Sequence, residues 1–190
     1  MMLCVIPSLL SASPSLILRA EKILGLRKDE VLTVDFNTVV HPSIVHDASL
    51  RLPWVDEFFG SVFLMNCLHV FPDPLAIIKE ACRILQPDGV VVMSFPLIFP
   101  YTPEPRDFGR FTEDGIRFLC SRAGLTVTCI TPIGGRWTSA AYLINPFSGL
   151  CAVFALPLYF TAFTFDALYS FLLPALSPAP IGYFVIARKL

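Results

Sequence analysis

Residues 81–97 read ACRILQPDGVVVMSFPL, and the join in the middle of that stretch decides the fold. Upstream, Asp73 can cap a helix with Pro74 at its first position, where the missing N–H costs nothing. Leu75, Ile78, Cys82 and Leu85 then recur at helical spacing, with Lys79, Glu80 and Arg83 off that stripe. Pro87-Asp88-Gly89 is expected to end the helix. The uninterrupted apolar run at 90–93 suits a strand covered on both faces, as in a parallel sheet.

The same alternation extends in both directions. Residues 31–35 (VLTVD) read as a strand after a helix near 15–26, and 61–65 (SVFLM) as a strand before the Asp73 helix. Thr112 can cap a helix through Ile116, Leu119, Cys120 and Ala123, with Gly124 as its stop. Residues 125–131 and 181–188 read as two further strands, and 3–6 as a first one with a turn at 7–13. Helices alternating with strands imply βαβ units with right-handed crossovers. The expectation is one α/β domain over 1–190, with a doubly wound, mostly parallel, Rossmann-like sheet. Ligands in such sheets sit beyond the carboxyl ends of the strands, near the switch in strand order. That singles out Asp35, Asp47, Ala48, Asn66, His69 and residues 94–96.

Composition narrows the function. A formal net charge of −1 gives no electrostatic case for nucleic acid. Hydrophobic residues make up 55% of the 190 residues, charged ones 15%, and the mean hydropathy is +0.68. Of the 29 charged side chains, 26 lie in residues 1–136, and from 137 to 187 there is only Asp166. The chain therefore divides into an α/β part at 1–136, an apolar helical insert at 137–180 and a final strand at 181–190. The six cysteines lack the grouping of a metal site or disulfide framework and read as reduced core residues, in keeping with a cytoplasmic setting. No metal site is expected. The apolar start has no basic flank, which argues against a cleaved signal peptide.

Three stretches carry a family resemblance. VDFNTVVHPSIVHDASLRLPW (34–54) and FFGSVFLMNCLHVFPDPLAIIKEACRILQPDGVVVMSFP (58–96) resemble the part of class I S-adenosylmethionine-dependent methyltransferases that follows their glycine-rich motif, the type 11 branch above all. The shared features are an acidic residue closing the second strand (Asp35), Asp47-Ala48 leading to Leu52-Pro53, and Leu68-His69 after the fourth strand. A turn similar to the family's Arg-x-Leu-x-Pro-Gly-Gly, here Arg83 to Gly89 with Asp88 at the first glycine position, completes the set. FPYTPEPRDFGRFTEDGIRFLCSRAGL (99–125) is similar to a run in some of these enzymes.

The resemblance implies S-adenosylmethionine as cofactor. Asp35 would take the ribose diol, Asp47 and the Ala48 N–H the adenine, and Asn66 would lie near the methyl donor. His69 would serve as general base. Tyr101, Asp107 and Arg110 would border the acceptor pocket. Plainer readings stand beside these: a strand-end cap for Asp35, a turn residue for Asp47, a helix-start residue for His69 and a solvated loop for 100–110. His41 and His46 have no assigned partners. The expected reaction is methyl transfer to a small-molecule or lipid-like acceptor. The alternative is an inactive protein of the same fold serving as a membrane- or partner-binding module.

One departure bears on that choice. The family shows a glycine-rich loop about twenty residues before the acidic strand end, letting backbone approach the cofactor's methionine portion. Residues 3–30 contain Gly25 alone. A truncated product, a divergent enzyme and a fold that kept its shape without the reaction each account for this.

The 29 residues at 137–165 carry no charge, long enough for a span of about 20 apolar residues. Pro146, Pro157 and the later prolines favour broken or paired helices. If the last strand pairs antiparallel with 125–131, the insert must leave the sheet and return to the same side. A membrane-contacting hairpin over 138–174 is the first expectation, a cover packed on protein the second, a single span the third.

Overall fold

The computed structural model describes residues 2–5 (backbone), 31–35, 43–101, 106–144, 155–172 and 179–190. The helix expected near 15–26, the turn at 7–13, Gly25 and His41 lie outside the described residues. So do Pro146, Pro174 and the side chains of Cys4 and Cys151.

Seven strands form one sheet: β1 (Met2–Val5), β2 (Val31–Asp35), β3 (Ile44–Val45), β4 (Phe59–Met65), β5 (Leu85–Pro96), β6 (Leu125–Ile133) and β7 (Gly182–Lys189). Their order is β3-β2-β1-β4-β5-β7-β6. The first five run parallel, and β7 enters antiparallel between β5 and β6. The doubly wound, mostly parallel sheet expected from the alternating pattern is present, including the β6–β7 pairing.

Four α-helices are described: α1 (Pro74–Ile84), α2 (Glu113–Arg122), α3 (Arg136–Ile144) and α4 (Leu156–Leu172). The caps are those the sequence announces. Asp73 accepts from the Ala76 N–H at 3.0 Å, Thr112 from the Gly115 N–H at 3.2 Å, and Gly124 stops α2 with φ +84°. Ile77, Ile78, Ala81 and Cys82 of α1 and Ile116 and Cys120 of α2 join one buried face of the sheet. That face carries Val34, Val62, Leu64, Val91, Met93, Val185 and Ala187. Full burial of a side chain such as Ile78 contributes about 1.5–3 kcal/mol.

Local pattern and structure differ at three points. Leu75, expected in the core stripe, is only half-buried, and Ile77 and Ala81 take that face. The helix stops at Ile84 rather than at Pro87, because Leu85 already pairs with Phe59 in the β4–β5 ladder. Residues 86–89 then form an irregularity before Val90 pairs with Ser61. Asp88 there has φ +62°, and a Cβ on Gly89 would stand 2.6 Å from Leu85 Cγ, so glycine fits where a side chain does not. Thirdly, no described helix is long and apolar enough to cross a membrane. The insert region instead shows α3 and α4 between β6 and β7.

Candidate active site

The strand order reverses at β1, with β2 on one side and β4 on the other. A crevice at the carboxyl ends of β1 and β4 is the ligand position such sheets create. Asp35 ends β2 on its first flank and is buried, 6% exposed. Its carbonyl accepts the His46 N–H at 3.1 Å, which ties the end of β2 to the segment after β3. Crossed Thr33–Ser43 bonds reinforce the join, with the Ser43 N–H donating to Thr33 Oγ1 at 2.8 Å and the Thr33 N–H to Ser43 Oγ at 3.1 Å.

Asp47 and Ala48 follow at once. Asp47 Oδ1 accepts the Ser49 N–H at 2.8 Å and the Ser49 hydroxyl at 2.7 Å. The Ser49 hydroxyl, then its N–H, hold that carboxyl below its ordinary range. Asp47 is thus an exposed, ionised acceptor two residues past the end of β3. His46 Nε2 lies 3.1 Å from the Arg51 carbonyl oxygen.

The far end of this loop is clamped to α1. The Leu52 N–H donates to Glu80 Oε1 at 2.7 Å, while Arg83 donates to the carbonyls of Leu52 at 3.2 Å and Trp54 at 2.8 Å. Arg83 also donates to Asp56 Oδ1 at 2.6 Å and to both Glu80 oxygens, at 2.6 and 2.9 Å. Sequence spacing put Glu80 and Arg83 off the core stripe; their side chains are only 18% exposed.

On the other flank, Asn66 leaves β4 with φ +54°, a left-handed conformation that asparagine tolerates. Its N–H donates to the Ser94 carbonyl at 2.8 Å, and Ser94 Oγ lies 3.1 Å away. This turn joins the carboxyl ends of β4 and β5. Asn66 and Asp35 are separated by β1 and so lie two strand spacings, about 10 Å, apart.

His69 lies one step on, in the short 3₁₀ helix Leu68–Val70. It is 3% exposed, and its Nδ1 is buried with no hydrogen-bond partner. Burial pushes its pKa below the ordinary value, more than the facing Asp107 carboxylate raises it, and Arg110 adds to the lowering. The imidazole is therefore neutral at neutral pH, the form a base requires.

Asp107, Arg110 and two residues missed in the sequence gather beside His69. The Phe108 N–H donates to the His69 carbonyl at 2.8 Å. Arg110 forms a two-pronged pair with Asp107, the Nη2–Oδ2 arm at 2.7 Å, and the Asp107 side chain is 3% exposed. The same guanidinium donates to the carbonyls of Gly109 at 2.9 Å and of Phe99 and Pro100 at 3.3 Å, and sits 5.9 Å from the Phe99 ring centre. Phe99 is 6.2 Å from the His69 ring and stacks at 6.0 Å on Tyr142 of α3. Burial, then Tyr159, raises the Tyr142 hydroxyl pKa. Tyr101 is 76% exposed. Nothing local in the sequence marks Phe99 or Tyr142, because their contact joins the loop after β5 to the apolar insert.

Among the described residues no His, Cys, Asp or Glu cluster is placed to hold a metal ion. Among the described residues Cys67, Cys82 and Cys120 are buried and Cys129 is exposed. The described residues offer a buried carboxylate at the end of β2 and an ionised, exposed one at Asp47, hydrogen-bond acceptors of the kind that the adenosine end of S-adenosylmethionine requires.

A methyltransferase domain family matches residues 19–93, less than half of the chain. No curated protein matches. Solved structures align over nearly the whole chain. The [4+2]-cyclase SpnF gives a TM-score of 0.61 at 15% identity, covering 99% of this chain and 75% of its own. A methyltransferase in complex with the Haloferax volcanii Trm112 activator gives 0.61 at 16%, covering 99% and 82%. The Burkholderia thailandensis 1,6-didemethyltoxoflavin-N1-methyltransferase, solved with its substrate and S-adenosylhomocysteine, gives 0.57 at 15%, covering 99% and 70%.

Proposed function

We propose that this chain, which carries the fold of class I S-adenosylmethionine-dependent methyltransferases with its type 11-like features, transfers a methyl group from that cofactor to a small-molecule or lipid-like acceptor in the cytoplasm. The observation that carries the reading is Asp35, a buried carboxylate at the end of β2 beside the switch in strand order.

Bound there, S-adenosylmethionine supplies a methyl on a positively charged sulfur, ready for in-line displacement. The protein's part is chiefly orientation and exclusion of water. Asp35 accepts hydrogen bonds from the ribose diol. Asp47 and the Ala48 N–H hold the adenine edge, kept in place by the Arg83 clamp. Asn66 fixes the turn that borders the reacting centre. His69 takes the acceptor's proton at Nε2, its Nδ1 being sealed off, and the products are the methylated acceptor and S-adenosylhomocysteine. Tyr101, Asp107 and Arg110 border the acceptor side. Arg110, committed to Asp107 and three carbonyls, shapes the wall rather than gripping a charge.

A second reading keeps the fold without methyl transfer, as a membrane- or partner-binding module using residues 138–174. One observation favours it: no glycine occurs in residues 7–13.

Calorimetric titration with S-adenosylhomocysteine, for the parent and Asp35→Ala, separates the two. Hydrogen bonds to a charged group contribute about 1.5–3 kcal/mol, so micromolar binding weakened roughly tenfold or more by Asp35→Ala supports methyl transfer. A folded protein that does not bind at millimolar ligand refutes it in favour of the binding module.

A further inference from the structure

α4 and its neighbour α3 make a surface that the proposed chemistry does not use. Among the described elements, α3 packs on one side of α4. Trp137 contacts the rings of Phe165 at 5.3 Å and Tyr169 at 6.0 Å, and Ala155 and Ala162 are buried. Asp166, the one charge on α4, faces inward and caps α3. Its oxygens accept the Trp137 N–H at 2.8 Å, the Thr138 N–H at 2.9 Å and the Thr138 hydroxyl.

At 100° per residue, the exposed positions run from Ser170 round to Phe165, an arc of about 220°. It carries Leu156, Phe160, Phe163, Leu168, Phe171 and Leu172, all 49% exposed or more, and no charge. The hydroxyls on that arc ask nothing of water. Thr161 donates to the Leu158 carbonyl at 2.9 Å, Thr164 to Thr161 at 2.7 Å and Ser170 to Ala167 at 2.8 Å. A protein partner leaves a polar, wetted rim around its contact. An uncharged arc wider than half the helix, with every hydroxyl turned back on its own backbone, is complementary to hydrocarbon.

The geometry points to α4 as an in-plane membrane helix, sunk into one leaflet of a lipid bilayer. This rests on the membrane-contact part of the reading above and names the element that makes the contact. At 17 residues, α4 is about 25 Å long, short of the roughly 30 Å a span requires. The chain enters the pair from β6 and returns into β7, its antiparallel neighbour, so both ends stay on one side. α3 then links the lipid-facing helix to the cleft, because Tyr142 stacks on Phe99 beside His69.

The test is co-flotation of the full chain with uncharged phosphatidylcholine vesicles in high salt, which removes electrostatic attraction. The triple variant Phe160→Asp, Phe163→Asp, Phe171→Asp is run beside it, with Phe160→Ser, Phe163→Ser, Phe171→Ser as a milder version and circular dichroism to confirm folding. Expected are salt-independent flotation of the parent and a drop of roughly a hundredfold in partitioning for either folded variant. Flotation unchanged by both sets overturns the assignment to α4 while leaving membrane contact elsewhere in 138–174. A parent that does not float overturns both, and a dimer that the variants dissolve would then identify a second copy as the cover.

Discussion

Replacing Arg83 by lysine keeps the positive charge and removes the fork. Arg83 makes five hydrogen bonds: two to Glu80, one to Asp56 and two to the carbonyls of Leu52 and Trp54. A lysine ammonium reaches the Glu80 carboxylate but not both carbonyls at once. Asp56, 67% exposed, loses little, because water screens an exposed pair. One carbonyl bond and the second Glu80 contact account for most of the cost, at about 1–1.5 kcal/mol each where the side chains keep some contact with water. The sum comes to about 2–3 kcal/mol. In a chain of this size that lowers the melting temperature by about 4–12 °C, read by circular dichroism. A double-mutant cycle with Glu80→Gln isolates the pair. Because the clamp ends the loop that starts at Asp47, S-adenosylhomocysteine affinity should fall as well. The clamp is also acid-sensitive. Arg83 holds the Glu80 carboxyl below its ordinary range, so its contribution is complete above that range and is lost as pH falls through the lowered folded value. A melting shift below about 2 °C, with ligand affinity unchanged, would refute the view that Arg83 fixes the loop.

Two further outcomes are expected. Asp166→Ala removes the cap that α4 supplies to α3 and should cost about 1–2 kcal/mol, seen as faster amide hydrogen exchange at the start of α3 while β4 and β5 keep their protection; uniform exchange across both regions would count against a local clip. His69 is kept neutral by burial, so the unfolded chain binds its proton more readily. Stability should be complete above the ordinary histidine range and decline as pH falls from about 6.5 towards the lowered folded value. In urea melts across that interval His69→Gln should flatten the slope, and a slope that persists would assign it to another group.

The sequence announces what is local. Asp73-Pro74, Thr112 and Gly124 mark helix ends through atoms within four residues, and the structure places those ends there. The strand-end positions Asp35 and Asn66 are legible for a related reason, since alternation of helix and strand dictates which end of the sheet they occupy. What escapes is contact between distant segments. The Arg83 clamp reaches the loop before β4, and its polar spacing alone resembles that of any solvated helix face. Tyr142 belongs to an apolar stretch where one aromatic looks like the next, and only the fold brings it onto Phe99. Helix α1 ends three residues early because ladder pairing at Leu85 overrides the stronger-looking stop at Pro87.

The position of β7 has a consequence for how the molecule is made. Ribosomes deliver the chain in order, and β7 emerges after the other six strands, yet it sits between two of them. Until it arrives, β5 has no neighbour on that side and β6 has no place in the sheet, so closure awaits a late, long-range event of the slow kind. The apolar α3–α4 pair leaves the ribosome in that interval. The α3–α4 pair can therefore form while the sheet is still open, before the last strand seals it.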